Sequence, residues 1–235
     1  MQLNDLMYEA KNAYNAKDVD YASADEFCKG YKNFMNLSKT EREATYFAVE
    51  DAKKHGFIPY DRKKKYSAGD KVYYVNRNKS VILAVIGTED IENGANIVVA
   101  HIDSPRLDIK QRPLYEEASL AYFKTHYYGG VKKYQWTALP LALHGVIIKK
   151  DGTSLCINLG EDEDEPTFYI SDLMPHIAKN QMDKPLATAI SGEGLNVIVG
   201  SIPLAVENNA IKLSVLKALN EKYGITEEDL ITAEL

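Results

Sequence analysis

The residues best suited to chemistry are His101 and Asp103, in the stretch Val98-Val99-Ala100-His101-Ile102-Asp103-Ser104-Pro105. An imidazole can ligate a metal ion or move a proton near neutral pH, and a neighbouring carboxylate can fix its orientation. In an extended chain, side chains two positions apart share a face, so this spacing predicts that the two side chains meet. The pair is compatible with metal or base chemistry, and also with a structural histidine at the end of a strand.

The segment that must position this pair is residues 97–100, an uninterrupted apolar run. Such a run, without polar alternation, predicts a strand buried on both faces, as in a parallel sheet. Ligands in open α/β sheets bind beyond the carboxyl ends of the strands. We therefore expect His101 at the functional edge of a sheet, and Pro105 should keep Ser104 extended.

The remaining pattern alternates between helical and strand-like segments. Helical spacing predicts helices over 4–16, 20–35 and 209–223, with Gly224 as the C-terminal cap of the last one. Ser38 to Glu41 has the spacing of a capping box for a further helix. A hairpin is predicted over 71–86 and a short capped turn at 226–229. The β-rich segments after Pro105 are 119–127, 139–149, 154–158 and 195–199.

Composition excludes several classes of protein. The net charge of −6 has no compensating basic stripe, which argues against a nucleic-acid partner. Cys28 and Cys156 are the only cysteines, and their separation predicts neither a disulfide framework nor a cysteine-ligated metal. We expect no secretory signal, and the sequence contains no apolar run of about 20 residues that could span a membrane. The expected compartment is the cytoplasm.

A longer set of motifs follows the histidine. It comprises His101-Ile-Asp-Ser-Pro-Arg-Leu-Asp-Ile-Lys110, Tyr127-Tyr-Gly-Gly130, Trp136 and the segment 141–151. In order and spacing, residues 95–205 resemble the M18 family of metalloaminopeptidases. The resemblance implies an α/β, zinc-peptidase-like catalytic domain with an inserted all-β dimerisation domain. Residues 1–105 would begin the catalytic domain, 106–204 would form the dimerisation domain, and 205–235 would return to a catalytic domain that is incomplete in this chain.

The resemblance also implies a site with two zinc ions that hydrolyses N-terminal residues from peptides. His101 matches a metal ligand of the family and Asp103 matches its orienting carboxylate. The other ligands and the general-base glutamate have no match here, so we expect an N-terminal part that is inactive alone. His176 matches a segment that reaches a neighbouring subunit's active site, and implies a substrate contact. Trp136-Thr-Ala-Leu-Pro-Leu departs from the family's Trp-x-Asp-Arg-x-Leu, which puts specificity for acidic residues in doubt.

A second hypothesis is non-catalytic: an oligomerisation or scaffold module with a vestigial metal site. Two acidic pairs, Glu116-Glu117 and Glu227-Glu228, could be compared with a catalytic pair of glutamates. A structural role is the better explanation for both pairs. Self-association is expected, with a symmetric dimer as the default unit, and the resemblance to the M18 family implies larger assemblies, commonly dodecamers. Aromatic residues are enriched at interface hot spots, and seven crowd into one short stretch: Tyr115, Tyr122, Phe123, Tyr127, Tyr128, Tyr134 and Trp136.

Overall fold

The computed structural model describes residues 7–8, 10–15 and 19–235. Its helices are α1 (Tyr21–Leu37), α2 (Glu41–Lys54), α3 (Lys179–Met182), α4 (Leu186–Ala189) and α5 (Ala210–Tyr223). Its strands are β1 (Ile58–Pro59), β2 (Lys71–Asn76), β3 (Ser80–Val85), β4 (Arg106–Glu117), β5 (Leu120–Tyr128), β6 (Leu143–Ile148), β7 (Ser154–Leu159), β8 (Val197–Gly200) and β9 (Ala233–Glu234). This mixture of helix and strand agrees with the predicted α/β class. The helix predicted over 4–16 lies partly outside the described residues, and only Ala13–Asn15 form a 3₁₀ turn there.

The chain divides into two compact units, the first of which comprises the residues up to Lys39 and Glu43–Ala95. This unit contains α1, most of α2 and a three-stranded sheet in the order β1-β2-β3. The predicted hairpin is present, with Asn76 opposite Ser80 and left-handed backbone at Arg77 and Asn78 in the turn. In the part of the chain that the structure describes, no helix is long and apolar enough to cross a membrane.

The predicted capping box at Ser38 is wrong. The Ser38 hydroxyl is buried and has no hydrogen-bond partner. The Glu43 carboxylate instead accepts from the backbone N–H of Lys39 at 2.9 Å. Glu41, the acidic residue of the predicted box, lies 3.5 Å from Arg106.

The second unit comprises Thr40–Arg42 and Asn96–Leu235. It contains two three-stranded sheets, in the orders β4-β5-β8 and β7-β6-β9. Helix α5 contacts β4, β5 and β8. One continuous core joins both sheets to α5 and the C-terminal residues, and it includes Phe123, Ile147, Ile170, Leu195, Ile211, Leu219, Ile225 and Leu230. The β-rich segment and the residues after 204 are thus packed around shared apolar side chains.

The end of the chain confirms several local predictions. Helix α5 ends at Tyr223, and Gly224 caps it with φ +63° and an N–H that donates to the Asn220 carbonyl. Thr226 and Asp229 form the predicted capping box of a 3₁₀ segment. Residues 233–234 then pair with β6, at Val146 and Ile147. These contacts place the C-terminal strand at the edge of the second sheet.

The prediction of a buried strand at 97–100 is wrong in this structure. Residues 94–105 form no regular secondary structure. Ile97, Val98 and Val99 are 78%, 99% and 85% exposed. A strand buried on both faces needs paired strands beside it and apolar layers above and below it, and no described residue pairs with this run. The apolar pattern is local, but the burial that it indicates depends on partners elsewhere.

Candidate metal site

The predicted meeting of His101 and Asp103 is present in the structure. The imidazole Nδ1 of His101 lies 3.1 Å from Oδ1 of Asp103 and 3.1 Å from the backbone carbonyl oxygen of the same residue. The His101 side chain is 83% exposed, so these two acceptors, more than packing, set its orientation. With Nδ1 directed at a carboxylate, the other ring nitrogen is left to face outward, as it does in histidines that ligate metals.

The Asp103 carboxylate has a second partner on β5. The hydroxyl of Tyr128 donates to Oδ2 of Asp103 at 2.9 Å. This hydrogen bond, followed by the one to His101, holds the pKa of Asp103 below its usual range. The same contact raises the pKa of Tyr128. Both shifts favour an ionised carboxylate facing a neutral hydroxyl and an imidazole.

The strand pair β4–β5 brings these residues together. Arg106, the first residue of β4, is opposite Tyr128, the last residue of β5. The Arg106 guanidinium lies 4.3 Å from the centroid of the Tyr128 ring. Gly129 follows with φ +75°, and a Cβ atom there would contact Pro105 at 3.5 Å. The chain before β4 and the end of β5 therefore converge at the His101 pair.

Tyr128 is the functional candidate that the sequence did not reveal. In the sequence it belongs to Tyr127-Tyr-Gly-Gly130, which has the composition of a simple turn. Its role depends on the pairing of β4 with β5, which joins residues 25 positions apart. The sequence signal that could have indicated this role is the strand-like pattern of residues 119–127, because a strand there that pairs antiparallel with β4 ends near the start of β4.

The donor set supports one metal ligand, not a complete zinc site. Among residues 7–8, 10–15 and 19–235, no group of three or more His, Cys, Asp or Glu side chains could hold a metal ion. Zinc sites in proteins take three or four ligands. His101 and Asp103 fit zinc as a ligand and its orienting carboxylate, because that pairing is usual around ligating histidines. They do not suffice to retain the ion alone.

Three other histidines of the second unit lie on β5, on β6 and in a turn. His144 on β6 is nearly buried, and its Nε2 lies 2.9 Å from Glu161, as in a histidine with a structural hydrogen bond. His126 is exposed on β5, with Nε2 3.7 Å from Asp108. His176 is exposed in a turn, and no hydrogen bond or ion pair found in the described part of the chain involves it. The substrate contact implied for His176 stays a prediction.

The acidic pairs have structural partners. One oxygen of Glu116 accepts from the backbone N–H groups of Ile211 and Lys212, at 3.0 and 2.9 Å. Glu227 lies 2.7 Å from Lys212, and Glu228 lies 2.8 Å from Lys150. Carboxylates at a helix N-terminus satisfy unpaired N–H groups and complement the helix dipole. These contacts agree with a structural role for both pairs.

Comparison with known proteins identifies the family to which this chain is similar. The family model for aminopeptidase I zinc metalloproteases (M18) matches residues 34–235. A probable M18 family aminopeptidase 1 from Clostridium acetobutylicum is 47% identical over 240 residues, with 99% of this chain and 51% of the relative covered. The crystal structure of an M18 aminopeptidase from Thermotoga maritima matches with a TM-score of 0.90 at 42% identity, covering 97% of this chain and 50% of that one. Aminopeptidase I from Clostridium acetobutylicum matches with a TM-score of 0.83 at 43% identity, over 98% of this chain and 52% of that one.

The chain spans about half the length of the curated relatives that it matches. The family model covers most of the chain, including the His101 pair, both sheets of the second unit and α5. The local geometry of the pair and the similarity of the whole chain agree. The chain belongs to the M18 family, that of the aminopeptidase I zinc metalloproteases.

Proposed function

We propose that this chain is the N-terminal part of a zinc aminopeptidase that removes N-terminal residues from peptides. The observation that carries the proposal is the exposed His101 imidazole with its Nδ1 directed at the Asp103 carboxylate. Relatives at 44–47% identity are described as M18 family aminopeptidases, which favours this function over a scaffold with a vestigial site.

In the proposed site, His101 supplies one ligand to zinc through the ring nitrogen that faces solvent. Asp103 holds the ring and keeps the proton on Nδ1, so the ligating nitrogen has its lone pair free. Zinc held there would polarise the carbonyl of the peptide substrate and lower the pKa of a bound water molecule. We propose two ions per complete site. The further ligands and the general base would come from outside the described residues.

We also propose that the chain contributes to two domains. Residues 1–105 would belong to the catalytic domain, 106–204 would form an inserted dimerisation domain, and 205–235 would return to the catalytic domain. The sheet β4-β5-β8 supports an assembly role, because the stacked rings of Tyr115 and Tyr122 lie 5.2 Å apart. Tyr122 alternates along β5 with the buried side chains of Ala121 and Phe123, and Tyr115 lies opposite Tyr122 on β4, so both rings are on the other face of the sheet from that core. A cytoplasmic location and a substrate contact through His176 complete the proposal.

The sharpest test is a chimera in which this chain replaces the matched half of the Thermotoga maritima aminopeptidase. The high structural similarity makes the exchange practical. The purified chimera should bind zinc and hydrolyse aminoacyl p-nitroanilides, and a chelator should abolish turnover. Metal content is read by mass spectrometry and turnover by absorbance.

The matched control is His126→Ala, which removes an exposed imidazole from β5. A folded chimera whose zinc content and turnover survive His101→Ala would contradict the proposal. If His101→Ala and His126→Ala both abolish turnover, the loss reflects a general effect on folding and does not identify His101 as a metal ligand.

A further inference from the structure

We infer that Tyr128, clamped by Arg106, is a positioning residue that fixes the Asp103 carboxylate against the His101 imidazole. This inference rests on the proposed function of the pair. It adds to that function two residues, both on the β4–β5 strand pair.

The two carboxylate oxygens of Asp103 have different partners. Oδ2 accepts from the Tyr128 hydroxyl at 2.9 Å, while Oδ1 lies 3.1 Å from Nδ1 of His101. The terminal torsion of an aspartate is broad and is not held by staggered wells. Because the Asp103 side chain is still 42% exposed, packing alone does not fix the plane of the carboxylate. The hydrogen bond from Tyr128 does so, and it turns the other oxygen toward the imidazole.

The Tyr128 ring is held in turn by Arg106. The guanidinium lies 4.3 Å from the ring centroid, within the range of a cation–π contact. Arg106 is itself anchored, at 2.7 Å from Asp108 and 3.5 Å from Glu41. A planar guanidinium stacks on an aromatic ring in a way that a lysine ammonium does not. The anchored arginine therefore limits where the phenol hydroxyl can point.

The test measures which ring nitrogen of His101 carries the proton, in the complete 235-residue chain. Long-range ¹H–¹⁵N spectra above neutral pH distinguish the Nδ1–H tautomer from the Nε2–H tautomer, and His101→Ala assigns the signals. We expect His101 to be mainly the Nδ1–H form. Tyr128→Phe should change the tautomer ratio about 3- to 10-fold toward Nε2–H, the size expected for one lost hydrogen bond.

Tyr127→Phe is the matched control, because it removes the same atom from the neighbouring residue, which points to the other face of β5. Its tautomer ratio should equal that of the wild type. Arg106→Lys keeps the charge and loses the stacking, so the ratio should shift in the same direction as in Tyr128→Phe. That variant also tests the inference if Tyr128→Phe fails to fold.

Asp103→Ala separates this inference from the proposed function. If Asp103→Ala shifts the ratio and the Tyr128 and Arg106 variants do not, the positioning role is overturned and the role of Asp103 stands. If Asp103→Ala also leaves the ratio unchanged, the backbone carbonyl alone orients the ring. Both the inference and the proposed role of Asp103 then fail.

Discussion

Gly145 of β6 lies directly against the backbone of Glu234 in β9. A Cβ atom on Gly145 would lie 1.9 Å from the Glu234 carbonyl oxygen, and Gly145 has φ +143°. This contact joins the middle of the second unit's sequence to its C-terminal strand. It makes the attachment of the C-terminal strand depend on a residue without a side chain.

Gly145→Ala should destabilise the second unit by about 3 kcal/mol, through the clash and the positive φ together. Urea unfolding followed by circular dichroism measures the change. Gly152→Ala is the control, because Gly152 also has a positive φ but no atom within 4 Å of the added Cβ. It should cost only about 1 kcal/mol. Equal effects in the two variants would show that β9 does not pack as described.

Glu116→Ala should destabilise the chain by about 1 kcal/mol, because two N–H groups at the start of α5 lose their acceptor. Glu116→Gln keeps an acceptor oxygen and should cost less. Glu117→Gln, at the exposed neighbouring position, is the control and should be close to neutral. Hydrogen exchange at Ile211 and Lys212 reports directly on the cap, and unchanged exchange in Glu116→Ala would contradict this role.

Acid should weaken the contact between Glu165 and Lys222. The Lys222 ammonium and the backbone N–H of Gly160 lower the pKa of Glu165 from 4.5 to about 2. Because the folded-state pKa is depressed, the stabilisation is complete above pH 4.5 and is lost as the pH falls toward 2. Glu165→Gln should be less stable than wild type at pH 7 and should lose less stability on acidification.

The measurement is the urea midpoint as a function of pH, with Glu163→Gln as the control in the same acidic loop. Parallel pH profiles for wild type and Glu165→Gln would remove Glu165 from the acid response.

In the chimera described above, His101→Ala should release zinc and abolish turnover. When both proteins are compared without zinc, the free energy of unfolding should change by less than about 0.5 kcal/mol, because the side chain is exposed in this chain. Asp103→Asn should retain folding but reduce affinity or activity about 10- to 100-fold. Full activity in either variant would remove that residue from the site.

The isolated chain should not retain zinc after dialysis, because no group of three suitable ligands occurs among its described residues. It should also show no peptidase activity. Stoichiometric zinc in the dialysed chain, measured by mass spectrometry, would contradict this prediction, because the chain would then contain zinc ligands other than His101 and Asp103.

Tyr122→Lys should reduce self-association, because it places a second cation beside Lys124 on the outer face of β5. Light scattering measures the mass. Tyr74→Lys in β2 is the control, since Tyr74 is also a tyrosine on a strand, is 47% exposed and lies in the first unit. An unchanged mass for Tyr122→Lys would show that this face is not the contact between subunits.

Local signals in the sequence were enough for several parts of the fold. The hairpin turn at 77–78, the glycine cap of α5 and the Thr226–Asp229 box each depend on residues within a few positions of one another. The meeting of His101 with Asp103 is local in the same way, because a spacing of two positions brings the side chains together.

The rest was decided by tertiary structure, because it depends on contacts between distant residues. Tyr128 reaches Asp103 only after β4 and β5 pair, and Glu116 caps α5 across 95 positions. The apolar run at 97–100 also shows that a local pattern does not decide tertiary contacts. Its composition indicates burial, yet it is exposed here because burial requires partner strands that a local pattern cannot supply. The sequence alone therefore identified the imidazole and its carboxylate, and the strand pairing added the groups that hold them.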